Sequence, residues 1–167
     1  MFRRSGRIAQ DATAAEDPLA AGSVAPGFSL MASTGEEVSL SDFRGRPVVL
    51  VFFPAAWSPV CGDQLTLYNE IIPLFEDFHA QVLALSVDGA WCQKAFADNR
   101  NLGFPLLTDF QPKGAAAQAY GVYDAEKGVS RRALFVINAR GVIHWSYVSP
   151  SNINPGADGI LNALESI

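Results

Sequence analysis

The residues able to do chemistry in this chain gather on one stretch, Phe52-Phe53-Pro54-Ala55-Ala56-Trp57-Ser58-Pro59-Val60-Cys61. A cysteine thiolate is a nucleophile that peroxides, disulfides and metals all engage. Its chemistry depends on what holds the sulfur ionised. Six apolar residues, Val48 to Phe53, run straight into Pro54, the mark of a buried strand. Beyond Ser58, the apolar residues Leu65, Tyr68, Ile72, Phe75 and Phe78 recur on one helical face. Cys61 is therefore expected in the first turn of a helix that follows a central strand. Helix starts carry free N–H groups and partial positive charge, a setting that favours a thiolate. Ser58 is placed to cap this helix. Pro54 ends the strand, and its ring would shield the sulfur from water and strengthen the local electrostatics.

Two other uses of this cysteine fit less well. Dithiol exchange on a thioredoxin-like helix uses Trp-Cys-x-x-Cys, whose first cysteine attacks. Here Trp57-Ser58-Pro59-Val60-Cys61 puts serine in that place. No histidine or second cysteine stands at ligand spacing near Cys61, so no metal is expected.

The elements that must position this stretch follow in order. Phe28–Ala32 and Glu37–Leu40, around the turn signal Ser33-Thr34-Gly35, read as a hairpin. Ser41 to Gly45 reads as one helical turn. After the first strand and helix, with a kink expected at Pro73, Val82–Val87 reads as a second buried strand. Asp88 is expected to cap the next helix, about Gly89–Arg100, with Trp91 in its core face. Phe104–Asp109 is extended and Pro112–Tyr120 is a short helix. Ala133–Ile137 is a third buried strand, and Val142–Val148 alternates as an edge strand does. Ile160, Leu161, Leu164 and Ile167 mark a last helix. A βαβ half followed by a ββα half predicts an α/β, thioredoxin-like fold with a central mixed sheet, flanking helices and an N-terminal hairpin.

The chain has 167 residues, 49% hydrophobic and 17% charged, enough for one domain with one core. Residues 23–167 are expected to form that domain. Residues 1–22 start basic and turn Ala-rich and acidic, without an apolar face, and read as a flexible tail. Asp11, Glu16 and Asp17 count against a transit peptide. A net charge of -5 gives no footprint for nucleic acid or an anionic membrane, and no apolar run reaches the roughly 20 residues of a membrane span. Two cysteines and no secretory signal point to a reducing, cytoplasmic setting.

The spacing Pro54-x-x-x-Ser58-x-x-Cys61, with strand and helix in place, resembles the Pro-x-x-x-Thr/Ser-x-x-Cys motif of peroxiredoxins. Phe104-Pro105-Leu106-Leu107-Thr108-Asp109-Phe110 and Gln118-Ala119-Tyr120-Gly121-Val122-Tyr123 are similar to the AhpE-like branch of this AhpC/TSA superfamily. The resemblance spans roughly Val24 to Ile167. It implies a thiol-dependent peroxidase without a cofactor. Its substrate would be hydrogen peroxide or an organic hydroperoxide, and Cys61 would become a sulfenic acid. A thioredoxin-like or low-molecular-weight thiol would then act as reductant. It also implies an arginine directly before a strand reading x-x-Phe. Arg132 stands there, with Asn138 where Asp is usual, and Arg131 should point the other way. Gln64 matches the motif's Glu or Gln, which orients that arginine. A homodimer through loops near the active site is implied as well.

Cys92 lies 31 residues after Cys61, in the first turn of the next helix. Neighbouring parallel strands end about 4.8 Å apart, so Cys92 is the candidate to resolve the sulfenic acid as a disulfide. The alternatives are a one-cysteine enzyme resolved by an external thiol, and a redox sensor or binding module on the same fold.

Overall fold

The computed structural model describes residues 17–167. The first sixteen positions of the expected tail lie outside the described residues. Strands β1 (Ser29–Met31) and β2 (Glu37–Ser39) form the hairpin, and a 3-10 turn covers Leu40–Phe43. β3 (Val48–Phe52), α1 (Pro59–Glu70), α2 (Ile72–Asp77), β4 (Gln81–Ser86), α3 (Ala90–Arg100), β5 (Leu106–Thr108) and α4 (Ala115–Ala119) follow. A small hairpin, β6 (Tyr123–Asp124) and β7 (Val129–Ser130), precedes β8 (Arg132–Ile137), β9 (Ile143–Ser149) and α5 (Asp158–Glu165). Pro73 lacks a donor for α1, and the helix breaks at Ile71 and restarts as α2.

The main sheet has the order β5-β4-β3-β8-β9. β3 pairs parallel with β4 and antiparallel with β8, so it is flanked on both edges and every residue in it is buried. Alternation along the strand then serves two cores. Val49, Val51 and Phe53 face a cluster with α1, α2, α3 and α5. Val48, Leu50 and Phe52 face a cluster with α4, the N-terminal hairpin and Tyr120. This is the mixed α/β, thioredoxin-like architecture expected from the chain order. Because α1 and α3 share one face, Cys61 and Cys92 belong to the same cluster.

Two details depart from expectation. Trp91 is not in the core: it is 84% exposed. Residues 17–22, assigned to the tail, lie against the body. Leu19 N–H donates to Tyr120 O and Gly22 N–H to Ile143 O. The approach is so close at Gly121 that a Cβ there would run into Asp17 O, and its φ is +73°. Only glycine satisfies both demands.

Candidate active site

Ser58 is the N-cap of α1, Pro59 its first residue, and Ser58 Oγ accepts the Cys61 N–H at 3.3 Å. Proline suits that position because its missing donor is one the helix start leaves unused. Since the serine oxygen serves as acceptor, its own proton is free to point at the sulfur or at a bound peroxide. Cys61 has no exposed surface. Its sulfur is not walled in by hydrocarbon alone, because Arg132 Nη2 donates to Cys61 Sγ at 3.3 Å.

Arg132 opens β8, beside the β3 end, and is 1% exposed. A buried guanidinium demands partners for its fork of donors. Nη1 donates to Gln64 Oε1 at 2.7 Å, while Nη2 and Nε donate to Ser151 O at 2.8 and 3.2 Å. Gln64 lies one turn past Cys61 and is fully buried. Its Nε2 donates to Tyr68 Oη at 3.1 Å, and Tyr68 Oη donates to Gly156 O at 2.8 Å. This chain fixes the amide's orientation. Tyr68 spends its proton on a carbonyl, so its oxygen must accept the NH₂, and the Gln64 oxygen is left for the arginine. Burial pushes the Tyr68 phenol up to about 12, so it stays a neutral donor.

Pro54, Ser58, Val60, Ser130 and Arg132 line an open cavity of about 540 Å³. Arg131, the alternative cation, is exposed on its rim, as strand alternation requires. A reactant entering here meets Ser58 and Arg132, both of which contact Cys61. The arrangement suits attack by sulfur on an atom that gains negative charge beside the guanidinium.

The loop before Ser58 carries a feature that sequence reasoning missed. Asp88 does not cap α3: Gly89 is the N-cap, with no side-chain cap bond. Instead Asp88 Oδ2 accepts the Ala56 N–H at 2.8 Å and the Ser86 hydroxyl at 2.7 Å. The short Ser-x-Asp spacing at a strand end was the available signal. The Asp88 side chain turns back toward the β3 loop because Ser86, two residues earlier, offers it a donor. Next along, Trp57 has φ 71°, which costs a non-glycine residue about 1–2 kcal/mol. Its ring packs edge-on against Phe96, centroids 5.4 Å apart.

Cys92 is half-buried and free, as is Cys61, which is fully buried. Burial first, then the Asp88 charge, raise its thiol pKa, against a weaker opposing hydrogen bond with Trp57. Among the described residues no group of three His, Cys, Asp or Glu side chains converges as a metal site would, and no helix is long and apolar enough to cross a membrane.

Comparison with known proteins agrees with this fold. The AhpC/TSA family profile matches residues 21–146. Alkyl hydroperoxide reductase E of Mycobacterium tuberculosis is 37% identical over 126 residues, 75% of this chain and 82% of the relative. A putative peroxiredoxin in the rubredoxin operon of Clostridium pasteurianum is 27% identical over 157 residues, 87% of each chain. Among solved structures, peroxidoxin BcpB of Mycobacterium tuberculosis superposes with a TM-score of 0.81 at 29% identity, covering 89% of this chain and 98% of the other. The thioredoxin-like sheet and these relatives define a thiol-dependent peroxidase. This chain belongs to the AhpC/TSA family, the peroxiredoxins.

Proposed function

We propose that Cys61 is the residue that reduces the hydroperoxide, with Pro54, Ser58 and Arg132 around it and Gln64 as the arginine's support. The Cys61 thiolate attacks the terminal peroxide oxygen. An S–O bond forms, the O–O bond breaks, and the alkoxide or hydroxide leaves and takes a proton. Sulfur is oxidised by two electrons to the sulfenic acid, and the peroxide becomes an alcohol or water. Arg132 faces both the sulfur and the charge that moves onto the leaving oxygen. Ser58 offers its hydroxyl proton, and Pro54 lines the cavity wall. The observation that carries this reading is the 3.3 Å contact between Arg132 Nη2 and Cys61 Sγ at a helix start. In stopped-flow oxidation by hydrogen peroxide and by an alkyl hydroperoxide, Cys61→Ser should consume no peroxide. Retained consumption overturns the assignment.

Cys92 then resolves the sulfenic acid: its sulfur forms a disulfide with Cys61, water leaves, and an external thiol regenerates the pair. What favours this is that α1 and α3 share one face and that Cys61 and Cys92 belong to one cluster. A second reading, direct resolution by an external thiol, is favoured by the raised pKa of Cys92, which leaves little thiolate at neutral pH. One equivalent of peroxide followed by disulfide mapping separates the two. A disulfide assigns Cys92 the resolving role, and a free Cys92 beside oxidised Cys61 removes it.

We assign these roles to one domain, residues 23–167, onto which residues 17–22 are also bonded, in a reducing, cytoplasmic setting. The enzyme is proposed as a homodimer through the loops at the active-site end of the sheet. Trp57, Trp91 and Phe110 follow β3, β4 and β5 there with 51%, 84% and 56% of their surface exposed, and clustered exposed aromatics suit an interface. A sedimentation measurement that finds only monomer at micromolar concentration overturns the dimer.

A further inference from the structure

Ala56 and Trp57 join the end of β3 to the start of α1, so their conformation sets where Cys61 points. Trp57 is held in the left-handed region, and such a residue persists only where its surroundings over-determine it. The aromatic contact with Phe96 supplies part of the hold. The polar part converges on one oxygen. Asp88 Oδ2 takes the Ala56 N–H at 2.8 Å and the Ser86 hydroxyl at 2.7 Å. Ser86 Oγ in turn accepts from Gln93 Nε2 at 3.0 Å, and that nitrogen also donates to Leu107 O at 2.8 Å. The Asp88 carbonyl accepts the Thr108 hydroxyl. Three elements, β4, β5 and α3, therefore fix the carboxylate that grips one loop amide. Ser86 and Gln93 are fully buried, and Gln93 Oε1 has no partner among the described residues. The relay's inner members, Ser86 and Gln93, are shielded from solvent, so the carboxylate's position is set from within the core.

We propose that Asp88 is a positioning residue for the peroxide reaction, holding the Ala56–Trp57 loop so that the first turn of α1 presents Cys61 to Arg132. It does not line the cavity, so it acts through the loop and not on the reactant. Capping α3 is not its task, since the cap there is Gly89. This rests on the peroxidase reading of Cys61.

The test is the second-order rate constant for Cys61 oxidation by hydrogen peroxide, followed by tryptophan fluorescence in the full chain. Asp88→Ala should lower it about 10- to 100-fold, the scale of a displacement near 1 Å at a reacting centre. Asp88→Asn keeps an acceptor for the Ala56 N–H and should restore the rate to within about threefold, which a general loss of stability would not do. An unchanged rate in Asp88→Ala, or an Asn variant as slow as Ala, overturns the proposal. Should Asp88→Ala fail to fold, hydrogen exchange in the unaltered protein decides. The Ala56 amide should be protected like a strand amide, and free exchange overturns the proposal. Unreactive unaltered protein refutes the peroxidase reading itself, whereas reactive protein with an indifferent Asp88 refutes only this role.

Discussion

Replacing Arg132 by Met tests the centre of the mechanism and can be worked through from the distances. The substitution removes the 3.3 Å donor to Cys61 Sγ while keeping an apolar stem of similar length. A hydrogen bond to a charged group contributes about 1.5–3 kcal/mol net. At about 1.4 kcal/mol per tenfold in rate, the second-order rate constant with peroxide should fall about 10- to 150-fold. Stability should move much less. Gln64 Oε1 and Ser151 O lose their donor, at about 1–3 kcal/mol each, but a buried charge whose desolvation costs several kcal/mol is removed as well. Arg132→Lys keeps the charge, yet one ammonium on a flexible stem cannot reach Gln64, Ser151 and Cys61 as the fork does, so an intermediate loss of about tenfold is expected on the hydrogen-bond scale above. Stopped-flow oxidation with peroxide in excess gives the rates, and thermal unfolding gives the stabilities. If Arg132→Met reacts within threefold of the unaltered protein while still folded, the guanidinium has no part in the reaction and the mechanism fails.

Three further outcomes follow from neighbouring contacts. Gln64→Leu removes the acceptor for Arg132 Nη1 and the donor to Tyr68, and should slow peroxide reduction about tenfold, the loss of one bond to a charged group. A rate equal to the unaltered protein's would show that Ser151 O alone aims the arginine. Tyr68 has its folded-state pKa pushed from 10.0 up to about 12, so the native state holds more protons between those values. Stability should therefore fall as pH rises from about 10, by about 3 kcal/mol once pH passes 12. Denaturant unfolding at several alkaline pH values should show that slope, and Tyr68→Phe should reduce it, leaving the part due to Tyr120, whose phenol pKa burial also raises. Gly121→Ala places a Cβ against Asp17 O at a positive φ and should cost on the order of 1–2 kcal/mol, lowering the melting temperature with the peroxide rate unchanged.

Much of this architecture is legible in the sequence because its signals are local or periodic. Val48 to Phe53 reads as a central strand since both its faces are buried, and the handedness of βαβ crossovers then leaves few topologies. Cys61 and Ser58 are legible because a helix start has a composition of its own. Beyond Gln64, the support around Arg132 is not, and the reason is physical. Ser151 and Gly156 contribute backbone carbonyls, which any residue supplies, and Tyr68 sits on the apolar face where its ring looks like ordinary core. Asp88 reads as a helix cap from its position alone, and only the turn after β4 shows that Ala56 offers it a closer donor. Trp91 illustrates a one-way rule. Apolar residues fill cores, but a large apolar residue is not thereby internal. The two-residue strands Tyr123–Asp124 and Val129–Ser130 are too short to show any period.

In the proposed resolution by Cys92, the second half of the cycle turns on a proton at that residue. Condensation with a sulfenic acid needs the attacking sulfur as thiolate. Burial, followed by the Asp88 charge, holds the Cys92 thiol above its ordinary pKa, so at neutral pH the thiolate is a minority. Its population, and the rate of Cys61–Cys92 disulfide formation with it, should then climb about tenfold per pH unit from neutral pH upward, levelling only beyond the raised pKa. Formation of the sulfenic acid does not pass through Cys92, and Cys92→Ser should leave it unchanged. Rapid-quench alkylation after one equivalent of peroxide, at several pH values between 7 and about 9.5, around the ordinary thiol pKa, measures the disulfide directly. Asp88→Asn removes the second cause of the shift and should move the whole profile to lower pH. A disulfide rate flat across that range would mean that some group other than the Cys92 thiolate limits the step. No disulfide at any pH would leave resolution to the external thiol, with Cys92 a bystander beside Trp57.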